Sequence, residues 1–390
     1  MTALDGLTIL DFSRLLPGPY ATWLLTEMGA CTTRIENPRE VTKQARVFGW
    51  DKLSGAERES IRAQDMLARG KRSLMLDIGH DKARDVITHI ARAADIVVSD
   101  YRPGVLDKLG LGPDALMATN PRLIYCEISL CGQTGPYRDR PGHDPLAMAI
   151  SGAMSRAGDR PERPSALGLA AADILTGTNA ALAILAAVTE RTRTGRGKHL
   201  DIAMSDAAMC LNANVLSRHP DLSTIPPRGQ RRADTGIWRT KDGKFIATSD
   251  MEPAYWERFC ALAGHPEWIP LQLDPAARAD IIAQIAALFE TRTRDEWESI
   301  LSEANTQFAP VLSVTEALDD PHNLARGMVT ELDSPKAAIR QLSLPLGDAL
   351  RPETPHRAAV MPGTDGAEVL ADAGFSQDEI DALIQDGLFG

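Results

Sequence analysis

The chain has no long apolar run, no block of basic residues, no closely spaced cysteine pair and none of the common nucleotide-binding fingerprints. Its longest apolar run, Ala180 to Val188, is far below the roughly 20 residues of a membrane span, so no membrane is expected as a partner. The start, MTALDGLTIL, has neither a basic stretch nor a cleavable apolar one, and no secretory signal is expected. A net charge of −11 without a basic block argues against nucleic acid as the partner. It leaves room for an anionic small ligand, which needs only a few local cations. The five cysteines (Cys31, Cys126, Cys131, Cys210, Cys260) are scattered, with no CxxC and no Cys/His cluster at metal spacing. Reduced thiols in a cytoplasmic protein without a metal are the expectation. No G-x-G-x-x-G opens a helix, since Gly110 and Gly112 in LGLGPD lack the third glycine. No phosphate-binding G-x-x-x-x-G-K-[ST] occurs, and the absence of G-x-S-x-G gives a Ser-His-Asp hydrolase no support.

What is present is a soluble globular composition: 390 residues, 44% hydrophobic and 24% charged. The length suits two domains or one large one. The first 130 residues alternate strand-like and helix-like segments. LTILDF (7–12) reads as a strand, followed by a Pro-Gly-Pro turn and a helix from Tyr20 that ends at Gly29. CTTRIE, SLMLDI (73–78), DIVVS (95–99) and Leu123 to Ser129 read as further strands, with a helix from about Asp81 to Ala93. Residues 39–66 read as a charged, irregular surface excursion. The fold class predicted is α/β, with a mostly parallel sheet in a Rossmann-like large domain and a smaller α/β domain. The expected division is 1–216 for the large domain, 217–234 for a Pro/Arg-rich linker and 235–330 for the small domain. Residues 331–390 are expected to return as linker and helices on the large domain. The stretch from Asp173 to about Arg191 is apolar nearly all round and predicts a buried helix. KHLDIAM follows it as a strand, and Lys241-Asp242-Gly243 marks a hairpin.

Several residues carry candidate chemistry. Asp173 stands at the mouth of the apolar helix, where the plain reading is an N-cap. The same amide dipoles would keep a carboxylate ionised as a base or nucleophile. His143 and Asp144 sit in the turn PGHDP; a surface histidine beside a turn or cap residue is the plain alternative to chemistry. Glu252 precedes Pro253 at a predicted helix start, a position for a cap or an acid. Arg102, Lys71 and Arg72 fall beside strand ends and read either as solvated charges or as phosphate ligands.

Taken together, LDGLTILDFSRLLPGPYAT, RIENP, GKRSLMLDI, ADIVVSDYRPGVLDKLGLG, NPRLIYCEISLCGQTGPYRDRPGHD, AADILTG, RTRTGRGKHLDIAM, DGKFIATSDMEPAYW and FAPVLSVTEALDDPHNLARGMV give a resemblance. The chain resembles the class III CoA-transferase (CaiB/BaiF) family, most of all its α-methylacyl-CoA racemase branch. The resemblance covers most of residues 4–330, and the last 50 residues contribute little. It implies an interlocked homodimer that binds an acyl-CoA thioester as substrate and holds no permanent cofactor. It also implies two alternative chemistries. Transferases use the aspartate matched by Asp173 as a nucleophile, through an aspartyl-CoA thioester. Racemases use that aspartate with a histidine, matched by His143, and a glutamate, matched by Glu252, as a two-face acid/base system on the α-carbon. The His143/Glu252 pair favours racemase. Ile174-Leu175-Thr176-Gly177 after Asp173, and Asn37 where racemases tend to carry arginine, favour transferase. A third reading is a non-catalytic acyl-CoA binder. By the same resemblance, Leu76, Asp77 and Ile78 line the adenine site and Arg102 faces a phosphate. Gly142, Asp144, Pro145, Leu146 and Ala147 follow the pantetheine and acyl end, with Arg14, Lys71 and Arg72 as further contacts. Enolate stabilisation is expected from backbone donors near the Asp173 helix start or the GHD turn.

Overall fold

The computed structural model describes residues 2–158, 163–225, 232–334 and 336–389. The chain divides into two units: Met1–Ala157 with Ser165–Ile225 and Ala325–Gly390, and Gly158–Pro164 with Pro226–Leu324. Part of the expected linker, residues 226–231, lies outside the described residues.

The first unit is built on a six-stranded sheet. Its strands are β1 (Thr8–Asp11), β2 (Cys31–Glu36), β3 (Arg72–Met75), β4 (Ile96–Ser99), β5 (Ile124–Ser129) and β6 (His199–Ala203). The spatial order is β3-β2-β1-β4-β5-β6 and every pairing is parallel. β2 and the edge strands β3 and β6 carry polar and charged residues. The central strands β1, β4 and β5 are buried on both faces, which is why they read as largely apolar runs. Alternation still divides them between two cores. Ile9, Ile96, Val98, Ile124 and Cys126 face the first helix (Pro17–Glu27) and the Asp173 helix (Ala171–Thr194). Leu10, Val97 and Tyr125 face Val86, Ile87 and Leu116, with Val369, Ile380 and Leu383 from helices Gly366–Asp372 and Gln377–Gln385. The order reverses direction between β1 and β4. In open parallel sheets, ligands bind beyond the carboxyl ends of the strands at such a switch point.

The structure corrects two expectations here. Residues 39–66 are not irregular: Pro38–Val47 and Gly55–Ala63 are helices. The first starts on Asn37, whose side chain accepts the Arg39 amide, with Pro38 in the first turn. The second has a capping box between Ser54 and Glu57. No residue of Pro38–Val47 is buried, so no core-facing apolar stripe marked it in the sequence. The Asp173 helix, in turn, is not buried all round, since Leu182 is 66% and Ile174 38% exposed. By length and composition it could cross a membrane. Its buried face nevertheless packs Ala180, Ala181 and Ile184 against Trp23 and Ile124. Near its end, buried Arg191 pairs with Asp95 at 2.9 Å. These are the contacts of a core helix.

The second unit has its own sheet, β7 (Thr235–Arg239), β8 (Phe245–Ser249) and β9 (Phe308–Pro310), antiparallel throughout. Helices Pro253–Ala263, Arg278–Phe289 and Arg294–Glu303 form its helical part. Its core is aromatic, with Trp238, Trp256, Phe259, Phe289 and Trp297 buried.

Gly177 lies one turn beyond Asp173. A Cβ there would stand 2.5 Å from the Pro17 carbonyl oxygen and 3.0 Å from the Tyr20 ring. Glycine thus lets two helices meet backbone to side. Alanine ordinarily stabilises a helix interior by about 1 kcal/mol relative to glycine. Gly177→Ala should instead lose roughly 1–3 kcal/mol from overpacking, read as a lower urea midpoint with an unchanged slope.

Candidate active site

The helix carrying Asp173 begins on Ala171-Ala172, with Ala170 as a cap residue whose side chain makes no capping bond. Asp173 is therefore inside the first turn, as its third residue, and is not the N-cap the sequence suggested. The first four amides are all satisfied. Ala171 donates to the Leu169 carbonyl at 2.9 Å and Ile174 to that of Ala170 at 3.1 Å. Ala172 and Asp173 both donate to Oδ2 of Asp144, at 2.7 and 3.2 Å. The acceptor missing from the helix thus arrives from 28 residues upstream.

Asp144 is buried and opens the short helix Asp144–Ile150, with exposed His143 as its N-cap. The turn before it is packed tightly. A Cβ on Gly142 would lie 2.6 Å from Leu130 and 2.7 Å from Leu146. Leu130 follows β5, so the carboxyl edge of the sheet fixes where His143 leaves the chain.

His143 and Asp173 line one cleft of about 670 Å³. Its floor is the carboxyl edge of the sheet: Arg14 beyond β1, Asp100 and Arg102 beyond β4, Ser129 and Leu130 at β5. Glu40, Lys43, Gln44 and Val47 of helix Pro38–Val47 form another wall. The lining holds five cations (Arg14, Lys43, Arg102, Arg138, Arg140) against three carboxylates (Glu40, Asp100, Asp173), a balance that favours an anionic ligand. Arg14 is partly committed, its Nε donating to Asp100 at 3.2 Å and its guanidinium lying over the Tyr101 ring at 4.0 Å. Arg102 and Lys43 make no ion pair among the described residues.

Burial raises the Asp173 carboxyl to about 6; the Asp144 charge adds to this and His143 opposes it. A carboxyl that changes protonation close to neutral pH, in one cleft with an imidazole, is equipped for proton transfer. Ionised, it is also a nucleophile. Burial likewise raises Asp100 to about 6 against the pull of Arg14. The wall between β1 and the first helix is fixed from below. Asp11 accepts from the Ser13 amide at 2.9 Å, from Thr22 at 2.5 Å and from Lys71 Nζ at 2.9 Å. The intervening Leu15 holds φ = 60°, a left-handed conformation uncommon for leucine and a local strain at the cleft wall.

Of the residues singled out in the sequence, Arg14, Arg102, Gly142, His143 and Asp173 come together in this cleft. Asp144 and Pro145 line a neighbouring apolar hollow of about 280 Å³ with Met148, Met154, Leu167 and Leu169. The others do not line the cleft. Lys71 is 2% exposed and bound to Asp11, so its charge is spent inside the fold and not offered to a phosphate. Arg72 pairs with Asp372 at 2.5 Å. Leu76, Ile78 and Ala147 are buried in the core, Asp77 pairs with Arg39 at 2.9 Å, and Leu146 is 49% exposed. The amides of the Asp173 helix start are taken by Asp144, which removes them as enolate donors. Glu252 belongs to the second unit, as exposed N-cap of Pro253–Ala263 with no side-chain capping bond. Lys43, Arg138 and Arg140 were missed. YRDRP, immediately before GHD, was the available signal for the two arginines. No cluster of three or more metal-ligating side chains occurs among the described residues.

Residues 4–366 match CoA-transferase family III. The chain belongs to this family. The match runs past 330, further than the sequence motifs reach. Among curated relatives of this family III chain, the α-methylacyl-CoA racemase of Homo sapiens is 30% identical over 98% of this chain and 97% of its own. A succinate–glutarate CoA-transferase of Agrobacterium fabrum is also 30% identical, over 95% of each. A crystal structure of a CaiB/BaiF family protein from Brucella suis superposes with a TM-score of 0.81 at 28% identity, covering 95% of this chain and 99% of that one. The family contains both racemases and CoA-transferases.

Two outcomes test this geometry. An acid whose folded pKa is raised destabilises the fold once ionised: the native state binds more protons between the ordinary value of 3.8 and about 6, and stability falls as pH rises through that window. Asp173→Asn should therefore be more stable than the parent at pH 7–8, by about 1–2 kcal/mol after solvent screening. The gain should vanish below the ordinary carboxyl range in thermal melts across pH. Lys71→Met leaves Asp11 charged and buried, and should cost about 3–5 kcal/mol in chemical unfolding.

Proposed function

We propose that this enzyme is an acyl-CoA α-carbon racemase or epimerase acting on 2-methylacyl-type thioesters. The observation that carries the reading is that an imidazole, His143, and a carboxyl raised to about 6, Asp173, line the same cation-rich cleft. One of the two removes the α-proton from its face of the substrate. The other returns a proton to the opposite face of the enolate, and the reverse reaction exchanges their roles. The family resemblance, and no observed contact, is what supports Glu252 as the carboxylate that would orient and charge-stabilise His143. Arg102, Arg138, Arg140 and Lys43 are the cations suited to the phosphates of coenzyme A, and the apolar hollow beside Asp144 suits the acyl end. No permanent cofactor or metal is assigned. The exposed apolar residues of the first unit, including Leu182, Met209, Leu211 and Leu216, support a homodimer. Five free cysteines are compatible with the cytoplasm.

A second reading, CoA transfer through an aspartyl-CoA thioester on Asp173, is supported by the residues following Asp173 and by the equally similar succinate–glutarate CoA-transferase. Incubation of 2-methylacyl-CoA with the enzyme in D2O separates the two. Racemisation introduces deuterium at the α-carbon, and His143→Ala or Asp173→Ala should each slow this by roughly 10²–10⁴-fold. No exchange, with a hydroxylamine-trappable adduct on Asp173 after exposure to a CoA donor, would establish the transfer reading instead.

A further inference from the structure

We propose that Asp144 is a positioning residue: its carboxylate, one residue from His143, holds the Asp173 helix start and keeps the two reacting groups in one frame. The inference rests on the reading of Asp173 and His143 as reactive groups. Its ground is the hydrogen bonding itself. Ala170 offers the helix no side-chain cap, and both otherwise unmatched first-turn amides end on Oδ2 of Asp144. The acceptor is a buried anion at a helix start, where an anion is favoured.

The same carboxylate has a second effect, because its charge disfavours ionisation of Asp173. Asp144 thus sets the position of the acid through hydrogen bonds and its proton affinity through charge. Other charged groups lining the cleft are His143, Arg138 and Arg140 before the Asp144 helix, Arg14, Asp100 and Arg102 at the strand ends, and Glu40 and Lys43 opposite. All of them remain in an Asp144 variant, so a difference between variants isolates Asp144.

Asp144→Asn and Asp144→Ala proteins are to be compared by amide hydrogen exchange over residues 170–176 and by carboxyl 13C titration of Asp173. The pH profile of α-deuterium incorporation is the third measurement. In the alanine variant, exchange at Ala172 and Asp173 should accelerate about five- to tenfold, the loss of one cap. In the asparagine variant, whose amide oxygen still accepts, protection should largely persist. The Asp173 midpoint should nonetheless fall, and the pH profile should move with it. An Asp173 midpoint unmoved in Asp144→Asn overturns the proposal, as does unchanged exchange in a folded Asp144→Ala. If the alanine variant does not fold, the asparagine variant decides alone. If the parent enzyme incorporates no deuterium, the racemase reading fails, while amide exchange and titration still decide the role of Asp144.

Discussion

A helix needs acceptors for its first amide hydrogens, and the helix bearing Asp173 opens on alanines whose side chains have none to give. That requirement is met by a carboxylate from a different part of the fold, and much of the site follows from it. Asp144 reaches the amides because the turn before it is pinned against Leu130, where a side chain on Gly142 would collide. Leu130 in turn follows the carboxyl end of β5. The position of the reactive carboxyl is thus set by the edge of a parallel sheet and not by its own helix alone.

The electrostatics of the cleft run in two directions. Its cations suit a polyanionic ligand, yet Asp173 holds its proton more firmly than an ordinary carboxyl, because burial and Asp144 outweigh the pull of His143. The cleft thus presents positive charge on its walls and a carboxyl whose proton affinity is raised beside them. Both readings of the site, proton transfer and CoA transfer, would draw on the same placement. The two proposals differ in whether Asp173 would meet a proton or a carbonyl carbon.

The strand and helix rhythm was legible because central parallel strands such as Ile96–Ser99 are buried on both faces, which leaves an apolar run in the sequence. Helix Pro38–Val47 was not legible as a helix, since it buries nothing. Its cap, Asn37-Pro38, was a local signal that went unread. Asp173 and His143 could be found by motif, but their relation could not, because it passes through Asp144. That residue read as a local turn or cap residue or an acyl-end contact, and gave no sign that it caps a helix whose Ala172 amide lies 28 residues later. Lys71 and Arg102 look alike in the sequence, each a cation beside a strand end. What separates them is Asp11, 60 residues before Lys71, and a contact at that distance leaves no local pattern.

That buried contact couples two distant positions energetically. Either Asp11 or Lys71 replaced alone leaves the other as an uncompensated ion in the core, whereas exchanging both for apolar partners of matching volume is often tolerated. A substitution at one of these sites is therefore costly unless the other changes with it. The loop they anchor, carrying Arg14 and Leu15 to the cleft, inherits its shape from a pair of side chains that do not line it.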